Sequence, residues 1–277
     1  MSGTTSRKGG TVDFKGVRWT MLVTLYLRAR DYRSRLPILG DRWADESVRR
    51  IDYDFDTWRF RAISGDQYMV ALRARQLDEW AAEFLSEHPD ATVLHLACGL
   101  DSRALRLRVP PEARWFDIDF PDVIALRRSL YEERPGYQMV ASSVTEAEWL
   151  DRIPADKPAL VVAEGLLMYL TEPEVRDLLV RITERFPSGE VVFDSLPAWS
   201  IWISNHLVGR WAAFKMGWPV RDERDAPRLA PKLRFVSSAT VTDRPDLIDS
   251  AFYRGLYRAM RPVKALRNSL RMFRYSF

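Results

Sequence analysis

Apolar positions recur with two different periods along the chain, and the change of period divides it. From Val17 to Asp31 the residues Met21, Leu22, Leu25 and Tyr26 return at helical spacing. Asp41–Arg50 predicts a second helix, and Asp66–Ser86 a third with Leu72, Leu77, Trp80, Ala81 and Phe84 on one side. No strand signal occurs before about residue 90. Beyond it, short apolar runs at Thr92–Ala97, Arg114–Ile118, Tyr137–Ala141, Ala159–Ala163 and Glu190–Asp194 read as strands. Helical stretches at Ser102–Leu107, Asp122–Glu133, Glu146–Asp151 and Glu172–Arg185 separate them. Strands that alternate with helices and lack hairpin turns predict a parallel sheet in a doubly wound α/β fold. Trp199–Phe214 is expected to be an aromatic-rich helix, with last strands at Lys232–Val236 and Met272–Tyr275.

Residues 1–15 read as a flexible leader of small and basic residues. Residues 16–277 are expected to form a single domain. Its helical cap would span 16–90 and its α/β core 91–277, with a lid insertion at about 197–230.

Composition adds constraints. With 47% apolar and 29% charged residues the chain can build a sizeable core and is not disordered. The single cysteine, Cys98, excludes an intramolecular disulfide. No 18-residue apolar run exists and Met1–Gly10 lacks the apolar stretch of a secretory signal, so cytoplasmic residence is expected. The 42 basic and 38 acidic residues are interspersed, and neither a nucleic-acid nor a membrane partner is expected. The net +4 concentrates late, at Arg254, Arg258, Arg261, Lys264, Arg267, Arg271 and Arg274, with Pro262 splitting the segment into two short helices. These cations are expected to form a solvated face over an apolar one made by Leu256, Met260, Val263, Leu266 and Leu270. An anion- or membrane-binding patch is the alternative.

In open α/β sheets the ligand lies at the carboxyl ends of the strands. The first such turn is His95-Leu96-Ala97-Cys98-Gly99-Leu100-Asp101, where small residues allow close backbone approach. It holds one glycine and no dinucleotide fingerprint, which disfavours a nicotinamide dehydrogenase, and a tight turn without ligand is also compatible with it. About twenty positions on, Asp119 closes the second strand where a ribose diol is commonly held, with Asp117 as the fallback. This D-x-D pair also keeps a metal-dependent glycosyltransferase open. Glu164 ends the fourth strand, bringing a third carboxylate to the same edge. His88, His95 and His206 show no metal-ligand spacing, so no metal is expected. His95 inside an apolar strand reads first as a hydrogen-bonded core residue, and Cys98 as a small filler.

The segments "LHLACGLDSRALRL", "WFDIDFPDVI" and "VVAEGLLMYL" resemble the leucine carboxyl methyltransferase family, and most closely its bacterial branch of tetracenomycin-type polyketide O-methyltransferases. The likeness extends upstream through "TLYLRARDYRSRLPILGDRWA" and "ALRARQLDEWAAEFL", and downstream to "RNSLRMFRYSF". It implies a class I, Rossmann-like methyltransferase fold of seven strands, the last antiparallel, with S-adenosylmethionine as cofactor and S-adenosylhomocysteine as product. Carried over by position, Arg73 would pair with the cofactor carboxylate, Gly99 would lie under its methionine portion, Asp119 would hold the ribose and Glu164 would sit by the amino-acid end. Asp101 and Arg103 would brace the turn, and Tyr169 would stand on the acceptor side.

This chain departs from the family pattern at Ala97, where glycine is usual, at His95, where an acid or amide is usual, and at Ser143, where an acid reads the adenine. A serine hydroxyl still hydrogen-bonds an amino group, without charge assistance. The expected activity is methyl transfer to a carboxylate or phenolic oxygen of a small molecule, such as a polyketide. A cofactor-binding enzyme with non-methylating chemistry and a methyltransferase acting on a protein's C-terminal carboxylate are the alternatives. His206 is a candidate base, and Tyr53, Phe55, Trp199, Trp202 and Trp218 are candidates for a flat apolar acceptor pocket or for core. Oligomeric state is left open.

Overall fold

The computed structural model describes residues 17–57, 60, 65–207 and 215–277. Three helices come first: α1 (Val17–Tyr32), α2 (Arg42–Arg50) and α3 (Gln67–Glu87). Then strands and helices alternate as β1 (Thr92–Leu96), α4 (Arg103–Arg106), β2 (Arg114–Asp119), α5 (Pro121–Leu130), β3 (Tyr137–Ala141), α6 (Glu148–Asp151), β4 (Ala159–Ala163), α7 (Glu172–Arg185) and β5 (Gly189–Ser195). The chain continues through α8 (Ala198–Leu207), α9 (Asp225–Leu229), β6 (Arg234–Thr240), α10 (Ala251–Met260), α11 (Lys264–Arg267) and β7 (Arg271–Ser276). A 3₁₀ turn, Leu167–Tyr169, lies between β4 and α7.

Helix starts follow local chemistry. The Asp41 and Asp66 carboxylates accept backbone N–H groups at the first turns of α2 and α3, and Thr171 with Glu174 forms a capping box on α7. The expected helix beyond Asp122 stops at Leu130, before a short turn into β3. The strand placed at Lys232–Val236 runs instead over Arg234–Thr240, an edge strand whose residues are mostly exposed and therefore give little apolar alternation. The expected helix Trp199–Phe214 is seen as α8; Trp211 and Phe214 lie outside the described residues, as do the leader and part of the lid insertion.

The seven strands form one sheet in the order β3-β2-β1-β4-β5-β7-β6, with β7 antiparallel to both neighbours. β1 pairs in parallel with both β2 and β4, so strand order reverses between β1 and β4. Alternate side chains feed two cores. Val93, Trp115, Leu160 and Val192 pack with Leu25, Leu77 and Trp80 of the N-terminal helices. Leu94, Phe116, Val161 and Phe193 pack on the other face with Trp149, Leu178 and Ile182. β1 and β4 are buried on both faces, which is why their sequences read as continuous apolar runs. Each fully buried Leu or Val here contributes about 1.5–3 kcal/mol.

Two backbone positions are tightly constrained. Ala97, just past β1, has φ +47°, and Gly99 follows at +50°. A side chain in this left-handed region costs about 1–2 kcal/mol, a cost that a glycine at position 97 would avoid. Gly189 opens β5 against β4: a Cβ there would lie 2.1 Å from the Ala159 carbonyl oxygen and 2.7 Å from the Phe277 ring. Gly189→Ala is expected to cost about 3 kcal/mol by prising these strands apart, read as a lower urea midpoint; an unchanged midpoint would refute the contact. Ala97→Gly is expected to leave stability unchanged or raise it by up to about 1 kcal/mol, since relief of strain outweighs the added freedom of the unfolded chain. A lowered melting temperature would show that the turn carries no strain.

Candidate functional site

Where strand order reverses, the sheet opens a cavity of about 430 Å³ at its carboxyl end. Its floor is the Ala97–Asp101 turn after β1, and its sides are Asp119 after β2, Ser142 and Ser143 after β3, and Glu164 and Gly165 after β4. Arg73 enters from α3, and Met168, Tyr169 and Leu170 form a further wall. An adjoining wall comes from α1, whose Thr20, Thr24 and Arg28 are spaced i, i+4, i+8 and so share one helical face; Thr20 bonds the Tyr169 side chain.

All six residues expected at a cofactor, Arg73, Ala97, Gly99, Asp119, Ser143 and Glu164, thus line one cavity, and Tyr169 lines it with them. His206 does not. It is exposed on α8, its ring tilted against that of Trp202, with Nδ1 2.8 Å from the Trp202 carbonyl oxygen. None of the five candidate pocket aromatics lines the cavity either. Phe55 and Trp218 are buried in the two cores, Tyr53 packs at the edge of the first, and Trp199 and Trp202 are exposed.

Charged groups behind the cavity are held in a buried lattice. Glu164 accepts from Arg28 of α1 at 2.7 Å, Arg73 of α3 at 2.9 Å and Arg103 of α4 at 2.6 Å. Arg73 also reaches Asp194 at the end of β5, at 2.9 Å, and Arg103 reaches Asp78 of α3 at 2.6 Å. Asp101 meets Arg28 and Arg103, each at 3.2 Å, and Arg106 as well. Burial alone would raise the carboxyls of Asp101 and Glu164, but the arginines around them outweigh it and hold both well below the usual range. Both therefore stay ionised. Asp194 goes the other way: burial and the neighbouring Glu164 push it up despite Arg73.

Asp117 and Asp119 share a face of β2 but separate along it, Asp119 ending the strand at the cavity. Asp117 does not line the cavity; it is fully buried, bonded to Arg127, to the Tyr137 hydroxyl at 2.6 Å and to His95 Nδ1 at 2.8 Å. Burial raises its carboxyl, but Arg127 and His95 bring it down to about 2. His95 carries that hydrogen bond and lies 3.6 Å from Asp101 on its other nitrogen. It joins the lattice while also touching the cavity, more than the core role its sequence context suggests. Asp119 accepts from the Gly99 and Phe120 N–H groups, each at 2.7 Å, and burial pushes its carboxyl up.

Sequence reasoning missed α1. Arg28 is 4% exposed, and its Nε, like that of Arg73, is buried with no hydrogen-bond partner. A polar stripe at four-residue spacing inside an apolar helix was the available signal. Reasoning from residues also missed the segment after 214. The Gly217 N–H donates to the Met168 carbonyl at 2.8 Å, and a Cβ on Gly217 would stand 2.4 Å from the Leu170 carbonyl oxygen. Asn205 of α8 clamps Met216 through both backbone groups, at 2.8 and 2.9 Å.

Residues 39–183 match the model of the leucine carboxyl methyltransferase family. The chain is 45% identical to the tetracenomycin polyketide synthesis O-methyltransferase TcmP of Streptomyces glaucescens, over 97% of this chain and 100% of that one. It is 37% identical to the S-adenosyl-L-methionine-dependent methyltransferase dpfgK of Gibberella zeae, over 85% of each. Among solved structures, a DUF574 family protein from Streptomyces avermitilis superposes with a TM-score of 0.59 at 13% identity, covering 92% of this chain and 96% of that one. The fold is that of class I methyltransferases. With more than half of the chain matching the family model and one relative matched over its full length at 45% identity, the chain belongs to the leucine carboxyl methyltransferase family of S-adenosylmethionine-dependent enzymes.

Proposed function

We propose that the protein transfers the cofactor's methyl group to an oxygen of a small apolar acceptor, a carboxylate foremost, and that the residues at the strand ends divide the work of binding. The observation that carries this is the meeting of Arg73, Asp119 and Glu164 from three separate elements in one cavity at the sheet's switch point. The cavity lies within the range that encloses small ligands. The residues fit S-adenosylmethionine: the orphaned Nε atoms of Arg28 and Arg73 are cations with unused donors beside the cavity, suited to the carboxylate of the amino-acid end. Asp119 has acceptor capacity left after its two N–H partners, suited to a ribose diol, and the Ala97–Gly99 backbone leaves room for close approach. The Ser143 hydroxyl, 2.7 Å from that of Thr145, would bond the adenine edge.

The bound cofactor supplies an activated methyl on a sulfonium with a good leaving group. What the protein adds is alignment of the acceptor oxygen and exclusion of water. Among the described carboxylates and histidine of the cavity, Asp119 is the one with acceptor capacity to spare, which the ribose would take; the others are engaged. Asp101 and Glu164 are paired with arginines, His95 is bonded to Asp117, and Glu174 accepts from Thr171. Burial pushes the Tyr169 hydroxyl up, so at neutral pH it is a phenol that donates and does not abstract. This favours an acceptor already ionised at neutral pH, as a carboxylate is. The name of TcmP places that relative in polyketide synthesis, which makes aromatic polyketide acids the first acceptors to try.

Incubation with methyl-labelled cofactor and such acids is expected to give a labelled product that releases methanol in alkali, as an ester does. A base-stable label would point to a phenolic ether, and no label in any acceptor would sink the reading. Asp119→Asn is expected to weaken S-adenosylhomocysteine binding by roughly 10- to 100-fold in calorimetry, the loss of a charge-assisted pair. In the unsubstituted enzyme the same affinity should fall as pH is lowered into the acid range, because a carboxyl raised by burial protonates early and then accepts less well. Tyr169→Phe is expected to lower kcat/KM for the acceptor by about 5- to 10-fold while leaving cofactor affinity within about twofold, as loss of one neutral hydrogen bond predicts. Equal losses in both would place Tyr169 on the cofactor instead.

A further inference from the structure

The late basic segment exposes Arg258, Arg261, Lys264 and Arg267 as expected, but three of the five apolar residues expected beneath them are exposed as well. Leu256, Val263 and Leu266, which the sequence pattern assigns to a buried face, are 44%, 48% and 42% exposed; Leu270 is buried as expected. On α10 the inward side is fixed by Tyr257, whose hydroxyl donates to Asp66 at 2.6 Å, and by Tyr253 packed on Tyr68. The Tyr68 hydroxyl in turn bonds Asp249 just before the helix, also at 2.6 Å. The outward side is therefore Phe252, Gly255, Leu256 and Ala259, with Phe252 at 74% exposure. Arg258, Arg261, Lys264 and Arg267 flank this ridge, all exposed, and make no ion pair among the described residues. From Ser250 to Phe277 the chain has no acidic residue.

We propose that α10 and α11 form a peripheral docking surface for an anionic lipid bilayer. Phe252, Leu256, Val263 and Leu266 enter the headgroup boundary while the four cations meet lipid phosphates. An outward apolar ridge bordered by Arg and Lys is the arrangement an interfacial helix uses, and each cation near an anionic leaflet adds to the attraction. A second copy of this chain is a poor occupant, because a two-fold contact would set the unpaired cations against one another. An acidic protein that encloses a helix in a groove is also disfavoured, since half of α10 is tied to α3 through the tyrosine–aspartate pairs. Only the outer half is available, which suits a planar partner. The surface lies at the carboxyl end of the sheet, since β7 leaves α11 at Arg271, paired with Ser195 at the end of β5. Trp199 and Trp202 of α8, which follows Ser195, are exposed at that end too.

The test is co-sedimentation of the full chain with phosphatidylcholine vesicles, with and without phosphatidylglycerol, at low and at high salt. Binding is expected only with phosphatidylglycerol, weakened by salt, and reduced by roughly tenfold or more in Phe252→Asp/Leu256→Asp and in Arg258→Glu/Arg261→Glu. These side chains are exposed, so unchanged melting temperatures will confirm that both variants fold. Absence of binding to anionic vesicles at low salt, or undiminished binding by the aspartate variant, would overturn the proposal. So would concentration-dependent dimerisation that the aspartate variant abolishes, or retention on polyglutamate without retention on vesicles.

Discussion

One carboxylate ties the N-terminal helices to the sheet. Glu164, at the end of β4, is shared by Arg28, Arg73 and Arg103, which come from three different helices. In so buried a place an ion pair is justified only when every partner is present, because an unpaired charge there costs several kcal/mol. The cavity walls are thereby fixed relative to one another by electrostatics as much as by packing. Apolar contacts of α1 and α3 with the sheet supply the bulk of the stabilisation; the lattice sets the register in which those helices sit.

The lattice also gives neighbouring carboxylates different jobs. Asp101, Asp117 and Glu164 are held ionised by arginines and point their acceptor capacity inward. Asp119, with only backbone donors and the weaker influence of Arg127, faces the cavity with its carboxyl raised. Two aspartates separated by one residue share one face of the strand, because side chains alternate along it. Asp119 is chosen over Asp117 by position: it ends β2 at the cavity, whereas Asp117 sits one step back, enclosed by Arg127, Tyr137 and His95.

Much of this was legible in the sequence. The change from helical to strand periodicity near residue 90 located the sheet, and the acids at strand ends located the edge where its cavity opens. Arg73, Ala97, Gly99, Ser143 and Tyr169 were placed by resemblance and meet in one cavity. What the sequence concealed depended on long-range packing. Arg28 looks like an ordinary helix arginine until α1 is laid across the strand ends, 136 residues from its partner Glu164. The aromatic residues failed as a pocket because aromaticity does not distinguish core from lining: Phe55 and Trp218 satisfy apolar cores. His206 carries no local feature that decides its direction, and α8 turns it outward.

The wall at Met168–Leu170 is fixed twice over. Backbone holds it through the Gly217 N–H and the close pass of that glycine against the Leu170 carbonyl. Side chains hold it through buried Met168, the packing of Leu170 on the second core and the bond of Tyr169 to Thr20 of α1. Gly217, which admits no Cβ, therefore couples the segment beyond α8 to the cavity. A change in that late segment would reach the cavity through main-chain atoms, without altering any residue that lines it.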